Sequence, residues 1–247
     1  MRPVDLEYTY RLEETFWWFR GMRSITWSWI ANLEPESILD AGCGTGFHLK
    51  WLRESFHPSR LVGVDIAGTA LEFARQRESG LALAQASIAD LPFAAASFDF
   101  LTCFDVLSQL PPEVGPAAVS EFARVLKRQG HLFIRVPAIP WLRSSHDTEL
   151  QTFTRFTLPQ LSRMLEKSRF QIIRKSYANF LLFPVAAARR LLKHLGLFAG
   201  SDVRPLPELL QPLDPVFRAA LNAEAKWLQG KMSLPLGLSA VVLARRI

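Results

Sequence analysis

The amino-acid sequence predicts an α/β protein built on one mostly parallel, doubly wound sheet. Three observations support this fold class: a glycine-rich stretch from Ser37 to Gly46, an alternation of apolar strand-like runs and helical patterns after it, and a length of 247 residues. Alternating strands and helices give a parallel sheet covered by helices, and this length suits one such domain with elaborations. One of the helical patterns covers residues 116–127 and is followed by Gly130, which predicts a cap before the next strand.

The glycine-rich stretch combines a strand, a tight turn and a helix. A short apolar run ends at Asp40, and residues 47–56 have the spacing of a helix. Glycine has no side chain, so the backbone of such a turn can approach a ligand closely. The stretch therefore predicts the opening of a nucleotide-binding βαβ unit. Its glycines stand at alternate positions: Gly42, Gly44 and Gly46.

A second predicted strand, residues 61–65, also ends in an acid and precedes a helical pattern over residues 68–78. Asp65 lies 23 residues after Gly42. In nucleotide-binding βαβ units, an acid about 20 residues after the glycines accepts hydrogen bonds from the ribose hydroxyls. Asp65 is therefore predicted to bind a ribose.

The spacing of the glycines separates two classes of nucleotide ligand. Folds that bind nicotinamide or flavin use G-x-G-x-x-G, whereas this turn reads G-x-G-x-G, and Phe47 stands where the third dinucleotide glycine would fall. No lysine follows in the phosphate-binding pattern G-x-x-x-x-G-K-[ST]. Because Asp40 also precedes the first glycine by two residues, the turn suits a ligand that carries a cation. A nicotinamide-dependent oxidoreductase is the less favoured alternative.

The composition is that of a folded chain, with 49% apolar and 21% charged residues. The net charge of +6 is scattered and forms no basic stripe with interleaved aromatics, so no nucleic-acid partner is expected. Cys43 and Cys103 lack the spacing of a zinc site or a disulfide framework, so both are interpreted as small core residues and no metal site is expected. The first residues lack the pattern of a signal peptide, so a cytoplasmic location is expected.

Two segments depart from the alternation of strands and helices. Residues 1–34 are dense in aromatic side chains at helical spacing, and residues 178–233 contain an apolar run, a basic group and a proline-rich link. The apolar run is shorter than the about 20 residues of a membrane span. We interpret the segment as a helical cap with its own small core, and weak peripheral membrane contact through residues 178–194 is the alternative. We expect one domain with four parts: an N-terminal helical cap with an aromatic helix (1–34), a cofactor-binding core (35–177), a helical insertion (178–233) and the last strand (234–247).

Asp40 to Gly46 reads D-A-G-C-G-T-G, which resembles the D-x-G-x-G-x-G motif of the class I S-adenosylmethionine-dependent methyltransferases, in particular the methyltransferase type 11 family. Gly63-Val-Asp65 is similar to the ribose-binding acid of this family, and Leu91-Pro-Phe is similar to the start of its L-P-F…S-F-D segment. The resemblance covers nearly the whole chain. It implies a Rossmann-like fold with a seven-stranded sheet and an antiparallel last strand. It also implies S-adenosyl-L-methionine as cofactor and S-adenosyl-L-homocysteine as product.

The resemblance implies a role for each part of the glycine-rich unit. Asp40 would lie near the amino group of the cofactor, Asp65 would hold both ribose hydroxyls, and residues 87–90 would lie along the adenine. Aromatic rings near the sulfonium would favour its positive charge. The full set of expected cofactor-binding residues is Asp40, Ala41, Gly42, Cys43, Gly44, Gly46, Asp65, Ile66, Ser87, Ile88, Asp90, Phe104, Trp17 and Arg20.

The reaction implied by the resemblance is in-line displacement at the sulfonium methyl group, without a metal, toward a small-molecule, saccharide-linked or lipid-linked acceptor. Positioning of donor and acceptor does most of the work in such a reaction. A hydroxyl or amine acceptor also needs a base, and His146 is the first candidate because of its pKa range and its place after a strand. Asp147 and Asp105 are further candidates for a catalytic role.

Two smaller resemblances point to bacterial members of the family. Residues 13–23, with F-W-W-F-R-G at 16–21, are similar to an N-terminal helix that often carries W-W-F-x-G-R. Residues 144–147, followed by Arg155-Phe156, are similar to an S-S-H-D…R-[YF] loop. Several polar residues that are usual in this branch are replaced, so a non-catalytic S-adenosylmethionine-binding regulatory or partner protein is the alternative to an enzyme. The replacements are Thr15 and Thr152 for His, Met22 for Arg, Ser87 for an acid, and Ser108-Gln109 for Glu-His.

Overall fold

The computed structural model describes residues 3–143, 152–194, 213–230 and 232–247. The strands are β1 (Ser37–Ala41), β2 (Arg60–Asp65), β3 (Ala82–Gln85), β4 (Phe98–Phe104), β5 (Leu126–Pro137), β6 (Phe170–Ala178) and β7 (Ser239–Arg246). Within the described ranges they form a seven-stranded sheet in the order β3-β2-β1-β4-β5-β7-β6. The last strand, β7, is antiparallel to both neighbours, and the other paired strands are parallel. The predicted fold class is confirmed.

Helices cover both faces of this sheet. The aromatic N-terminal segment forms two helices, and the second of them is the aromatic helix. The helices are separate because the backbone of Phe16, directly before the second, is extended (φ −68°, ψ 130°). The helices are α1 (Pro3–Leu12), α2 (Trp17–Ile30), α3 (Phe47–Phe56), α4 (Gly68–Arg77), α5 (Gly115–Val125), α6 (Leu158–Lys167), α7 (Phe183–His194) and α8 (Asp214–Gln229).

The junction between α5 and β5 differs from the prediction. Helix α5 ends at Val125 rather than at Lys127, and β5 begins with the next residue, Leu126. Gly130 lies inside β5, so its predicted role as a cap is wrong. The start of the strand is polar because it is solvent-exposed, and Lys127 there forms an ion pair with Asp99 (Nζ to Oδ1, 2.8 Å). Because these first residues are mostly polar, the sequence shows no apolar pattern that would mark the start of the strand.

Two apolar cores lie on the two faces of the sheet. The first packs α5 and α6 against the strands, and the second packs α2, α3 and α8 against the other face. Cys103 is buried in the first core and Cys43 in the second, both as free thiols. The second core therefore lies directly behind the turn that follows β1.

Helix α8 joins the segment before the last strand to the aromatic helix α2. A Cβ atom placed on Gly21 of α2 would clash with Leu221 of α8, so the helices approach closely because position 21 has no side chain. The buried carboxylate of Glu224 accepts hydrogen bonds from the backbone N–H groups of residues 179–181, where β6 ends. Burial raises the pKa of Glu224. Helix α8 thus fixes α2 and the end of β6 to each other.

The segment for which membrane contact is the alternative contains the end of β6 and α7. No helix within the described ranges is long and apolar enough to span a membrane. Val185 of α7 is exposed, whereas the ring of Phe183 packs against Trp141 with 6.1 Å between ring centroids. Both interpretations of this segment and the division of the chain into four parts stay predictions.

Candidate active site

The carboxyl ends of β1, β4, β5 and β6 meet at one edge of the sheet, and the backbone beyond them is strained. Asp105, Ile139 and Asn179 follow three of these strands with positive φ angles of 62°, 63° and 62°. Left-handed backbone costs on the order of 1 kcal/mol or more for residues other than glycine, and it is concentrated at functional sites. Open α/β sheets bind ligands at this edge. The candidate site therefore lies beyond these strand ends.

Asp40 is the most unusual carboxylate of this edge. It is 1% exposed, its Oδ1 accepts a hydrogen bond from the hydroxyl of Thr102 (2.7 Å), and its Oδ2 is buried without a partner among the described residues. Burial raises the pKa of Asp40 to about 7, the hydrogen bond from Thr102 opposes this rise, and the charge of Asp65 adds to it. Buried polar atoms are normally paired, so an unpaired carboxylate oxygen indicates a place for a ligand cation.

The turn after β1 needs glycine for two different reasons. Gly42 has a φ of 83°, and a Cβ atom there would clash with Val106, which follows β4. Gly44 has a φ of 52°, but a Cβ atom there would meet no heavy atom within 4 Å. The first glycine allows close packing inside the protein, and the second faces open space. A ligand can therefore approach the backbone at Gly44.

Asp65 ends β2 beside this turn. Its Oδ2 accepts a hydrogen bond from the backbone N–H of Gly44 and its Oδ1 from that of Ala67, both at 2.9 Å. Each carboxylate oxygen has a second lone pair, so both can still accept a hydroxyl hydrogen bond. The neighbouring Ile66 is 70% exposed, which leaves an apolar surface beside the carboxylate. This combination suits a ribose with an attached base.

The segment after β3 is the predicted border of the adenine. Ile88 is buried, whereas Asp90 is exposed. The hydroxyl of Ser87 accepts a hydrogen bond from the backbone N–H of Ala89 (3.2 Å), so it caps the local turn. Its contact with adenine, like that of Asp90, stays a prediction.

The N-terminal helices are attached to the glycine turn by an ion pair that the sequence did not predict. The side chain of Glu13, which is buried, accepts hydrogen bonds from the hydroxyl of Thr45 and from Arg77 Nη2 (2.7 Å). Arg77 also donates through Nε to the carbonyl oxygen of Thr45 (3.0 Å) and covers the ring of Tyr10 at 4.3 Å. Burial raises the pKa of Glu13 to about 7, although Thr45 and Arg77 favour its charged form. Helix α1 is therefore held next to the turn.

A second group of unpredicted residues surrounds the end of β4. The ring of His48 stacks on the ring of Phe104, with 4.0 Å between the centroids and 17° between the planes. Arg135 of β5 is buried and donates hydrogen bonds to Oδ2 of Asp105 from Nε (2.9 Å) and Nη2 (2.6 Å). Asp105 is therefore ion-paired, and its catalytic role stays a prediction.

The remaining predicted site residues lie in different places. The ring of Trp17 packs against Phe217 of α8, with 5.2 Å between centroids, and its Nε1 is buried without a partner in the described part of the chain. Arg20 is exposed on α2. His146 and Asp147 lie outside the described residues. The proposed contacts of these four residues stay predictions.

The parallel sheet with its antiparallel last strand, together with the acid and glycine turn after β1, defines the fold of the class I S-adenosylmethionine-dependent methyltransferases. Residues 39–134 match a family model described as a methyltransferase domain, of type 11. The match covers less than half of the chain, and over these residues it agrees with the resemblance to the methyltransferase type 11 family that the motifs imply. S-Adenosylmethionine is the cofactor of this family.

Relatives of known name are similar to this chain at low identity. A fatty-acid O-methyltransferase from Mycolicibacterium smegmatis is 28% identical over 183 residues, which are 73% of this chain and 59% of the relative. A trans-aconitate 2-methyltransferase from Afipia carboxidovorans is 26% identical over 231 residues, 87% of this chain and 90% of the relative. A malonyl-[acyl-carrier protein] O-methyltransferase from Serratia marcescens is 35% identical over 95 residues, 38% of this chain and 36% of the relative. The chain spans 48% to 66% of the length of the first curated relatives that it matches.

Solved structures share the fold. One is a chain of the complex between the Haloferax volcanii Trm112 methyltransferase activator and a putative methyltransferase, with a TM-score of 0.60, 16% identity, and coverage of 95% of this chain and 92% of that chain. Another is an S-adenosylmethionine-dependent methyltransferase from Archaeoglobus fulgidus, with a TM-score of 0.59, 17% identity, and coverage of 97% and 100%. At these identities the likeness shows the fold alone.

Proposed function

We propose that this chain transfers a methyl group from S-adenosylmethionine to an acceptor at the carboxyl edge of the sheet. The observation that carries the proposal is the buried carboxylate of Asp40, whose second oxygen has no partner among the described residues. A buried carboxylate is stable as an anion only beside a cation or hydrogen-bond donors. The family's cofactor carries an ammonium group that would supply this cation, and the backbone at Gly44 is open to a ligand. The residues present therefore fit the cofactor.

Different residues would hold different parts of the cofactor. Asp40 would bind the ammonium group, and the second lone pairs of Asp65 would accept hydrogen bonds from the ribose hydroxyls. Residues 87–90 and the exposed Ile66 would border the adenine. Bound there, the cofactor supplies a methyl group on a positively charged sulfur. The protein orients the reacting groups and excludes water with the aromatic rings around Phe104.

The proposed acceptor is a small molecule or a lipid-linked group. The names of three relatives support this class: a fatty-acid O-methyltransferase, a trans-aconitate 2-methyltransferase and a malonyl-[acyl-carrier protein] O-methyltransferase. The aromatic side chains at the end of β4 also suit an apolar acceptor. The saccharide-linked acceptor gains no support from these names.

Cofactor affinity is expected to rise with pH between pH 6 and pH 8. The pKa of Asp40 is raised to about 7 by burial, and only the ionised carboxylate pairs with an ammonium group. The affinity should be about tenfold higher at pH 8 than at pH 6, and binding at the lower pH should release about one proton. Titration calorimetry in two buffers of different ionisation enthalpy measures both quantities. An affinity that stays constant over this range would contradict the role of Asp40.

Asp65→Asn is expected to weaken the binding of S-adenosylmethionine and S-adenosylhomocysteine about 30-fold. A hydrogen bond to a charged group contributes roughly 1.5 to 3 kcal/mol, and the substitution removes the charge that strengthens two of them. Calorimetric titration measures the effect, and melting curves check that the variant is folded. Glu113→Gln, which changes an exposed carboxylate, is the control and should bind both ligands as the wild type does.

The same titrations separate the proposal from its alternatives. Binding of NAD, with neither adenosyl ligand bound, would overturn the proposal in favour of a nicotinamide enzyme. Binding of S-adenosylmethionine with no formation of S-adenosylhomocysteine, across a panel of acids, alcohols and amines, would favour the non-catalytic alternative.

A further inference from the structure

A buried cation lies where β5 pairs with the end of β4. Arg135 is 2% exposed and stands opposite Phe104, the last residue of β4. Its Nε and Nη2 atoms both donate to a single oxygen, Oδ2 of Asp105. In the described part of the chain no residue accepts a hydrogen bond from its Nη1 atom. Arg135 is therefore fixed on one side and retains donor capacity on the other.

The surroundings of this cation are aromatic. The guanidinium carbon of Arg135 lies 5.1 Å from the ring centroids of both Trp18 and Phe104, and His48 stacks on Phe104. Burial and the charge of Arg135 lower the pKa of His48 well below its ordinary value, so His48 is neutral. A ligand that reaches Nη1 must therefore combine an anionic group with an apolar body.

Ser108, which follows β4, uses its polar atoms in hydrogen bonds with the backbone. The hydroxyl of Ser108 donates to the carbonyl oxygen of Asp105 (2.7 Å). The carbonyl oxygen of Ser108 accepts hydrogen bonds from the N–H groups of Phe153 (2.9 Å) and Thr154 (3.1 Å). A nucleophile that is already negatively charged needs no base at this position. A carboxylic acid, with a pKa of roughly 4, is such a nucleophile at pH 7.

We propose that Arg135 binds the carboxylate of an apolar organic acid and that this carboxylate is the methyl acceptor, an inference that rests on the proposed methyltransferase function. One carboxylate oxygen accepts a hydrogen bond from Nη1, and the other attacks the methyl carbon. The new C–O bond forms as the C–S bond breaks, and the electron pair of the broken bond stays on sulfur. An anion and a sulfonium give a neutral methyl ester and a neutral thioether, so charge balances without proton transfer.

The carboxylate that reaches Arg135 has two sources to distinguish, the acceptor and the methionyl group of the cofactor. The methionyl ammonium and carboxylate groups share one carbon atom, so both stay near Asp40 on β1. Arg135 is on β5, two strands away, and neighbouring strands are about 4.8 Å apart. Its charge reaches Asp40, whose pKa it lowers, but its Nε and Nη2 atoms donate to Asp105 beyond the end of β4. We therefore assign the acceptor as the source.

The experiment compares the wild type with Arg135→Gln, Arg135→Lys and a control, Arg60→Gln. Arg60 also covers a phenylalanine ring, that of Phe98 at 4.7 Å, but at the amino ends of the strands. Laurate, dodecanol and dodecylamine are the acceptors, since they share chain length and differ in head group. Methyl transfer is followed by S-adenosylhomocysteine formation, and laurate binding is measured by calorimetry with S-adenosylhomocysteine present.

We expect methylation of laurate and of neither other compound. Arg135→Gln should lower laurate affinity and kcat/KM about 30-fold, because it loses a charged donor. Arg135→Lys should recover part of this loss, and Arg60→Gln should behave as the wild type. If melting curves show that Arg135→Gln is unfolded, the double variant Arg135→Gln/Asp105→Asn, which removes both charges of the pair, replaces it with the same expected loss of laurate affinity.

Binding of the cofactor separates failure of this inference from failure of the proposed function. Because the charge of Arg135 lowers the pKa of Asp40, its removal should weaken S-adenosylmethionine binding at pH 8 by less than about fivefold, against the about 30-fold loss of laurate affinity. Equal methylation of dodecanol, or unchanged laurate affinity in Arg135→Gln, would refute the assignment and leave the methyltransferase proposal standing. S-Adenosylmethionine binding weakened by more than about fivefold in Arg135→Gln, with the binding of decarboxylated S-adenosylmethionine weakened less, would overturn it in favour of the methionyl carboxylate. A wild type that binds no S-adenosylmethionine would refute the proposed function itself.

Discussion

Asp40→Asn is expected to weaken cofactor binding by more than about 100-fold and to make the free protein more stable at pH 8. Burial raises the pKa of Asp40 from 3.8 to about 7. Between these values the unfolded chain has lost a proton that the folded protein keeps, so the folded state loses stability as the pH rises from about 4 to about 7. Above pH 7 the full penalty of the buried anion is present. Asparagine carries no charge and keeps an acceptor for the hydroxyl of Thr102, so it avoids this penalty.

The size of the stability gain follows from the difference in pKa. At about 1.36 kcal/mol per unit, the rise from 3.8 to about 7 amounts to at most about 4 kcal/mol, and relaxation around the buried charge reduces the expected gain to about 1 to 3 kcal/mol. Urea unfolding at pH 5 and pH 8 measures this gain, which should be larger at pH 8. The control Glu113→Gln should change stability by less than about 0.5 kcal/mol, because its carboxylate is exposed.

The loss of cofactor affinity in Asp40→Asn should exceed about 100-fold, because a buried ion pair that loses one partner costs about 3 to 5 kcal/mol. Calorimetry at pH 8 measures it on the same protein preparations. The buried carboxylate of Asp40 would then lower the stability of the free protein while it strengthens the binding of the cofactor. Wild-type affinity in the variant would contradict the assignment of Asp40, and so would a stability gain of the same size at pH 5 and pH 8.

The half of the site that is formed by neighbouring residues can be predicted from the sequence. Asp40 and the glycines follow one apolar run, and Asp65 ends the next. The parallel register of β1 and β2 places Ala41 opposite Val64, so the two acids reach the same edge of the sheet. The local hydrophobic pattern and the direction of the strands are sufficient to predict this half of the site.

The other half depends on contacts between residues that are distant in the chain. Glu13 is 32 residues from Thr45 and 64 residues from Arg77, and Asp105 is 30 residues from Arg135. A hydrophobic pattern shows that a segment is buried, but it does not show which partner a buried charge will meet. The sequence therefore predicts neither the attachment of α1 to the glycine turn nor the cation beside β4.

Arg77→Met is expected to destabilise the protein by about 3 kcal/mol at pH 8 and to release α1 from the glycine turn. The side chain of Arg77 is 2% exposed and donates to Glu13 Oε2 (2.7 Å) and to the carbonyl oxygens of Thr45 (3.0 Å) and Tyr10 (2.9 Å). Methionine is also long and flexible, but it leaves the carboxylate of Glu13 buried without its cation, and such a loss costs about 3 to 5 kcal/mol. Because burial already raises the pKa of Glu13 to about 7, protonation of Glu13 should make the loss smaller at pH 6 than at pH 8.

A second substitution distinguishes the contribution of the ion pair to stability from that of the hydrogen bonds between Arg77 and backbone carbonyl oxygens. In the double variant Glu13→Gln/Arg77→Met the uncompensated charge is gone, so about half of the lost stability should return. Urea unfolding gives the energies, and hydrogen exchange of residues 3–16 reports the release of α1. Arg75→Met, an exposed arginine on the same helix, is the control and should leave both unchanged. If Arg77→Met is equally destabilised at both pH values and Glu13→Gln restores nothing, the backbone hydrogen bonds rather than the ion pair hold α1 in place.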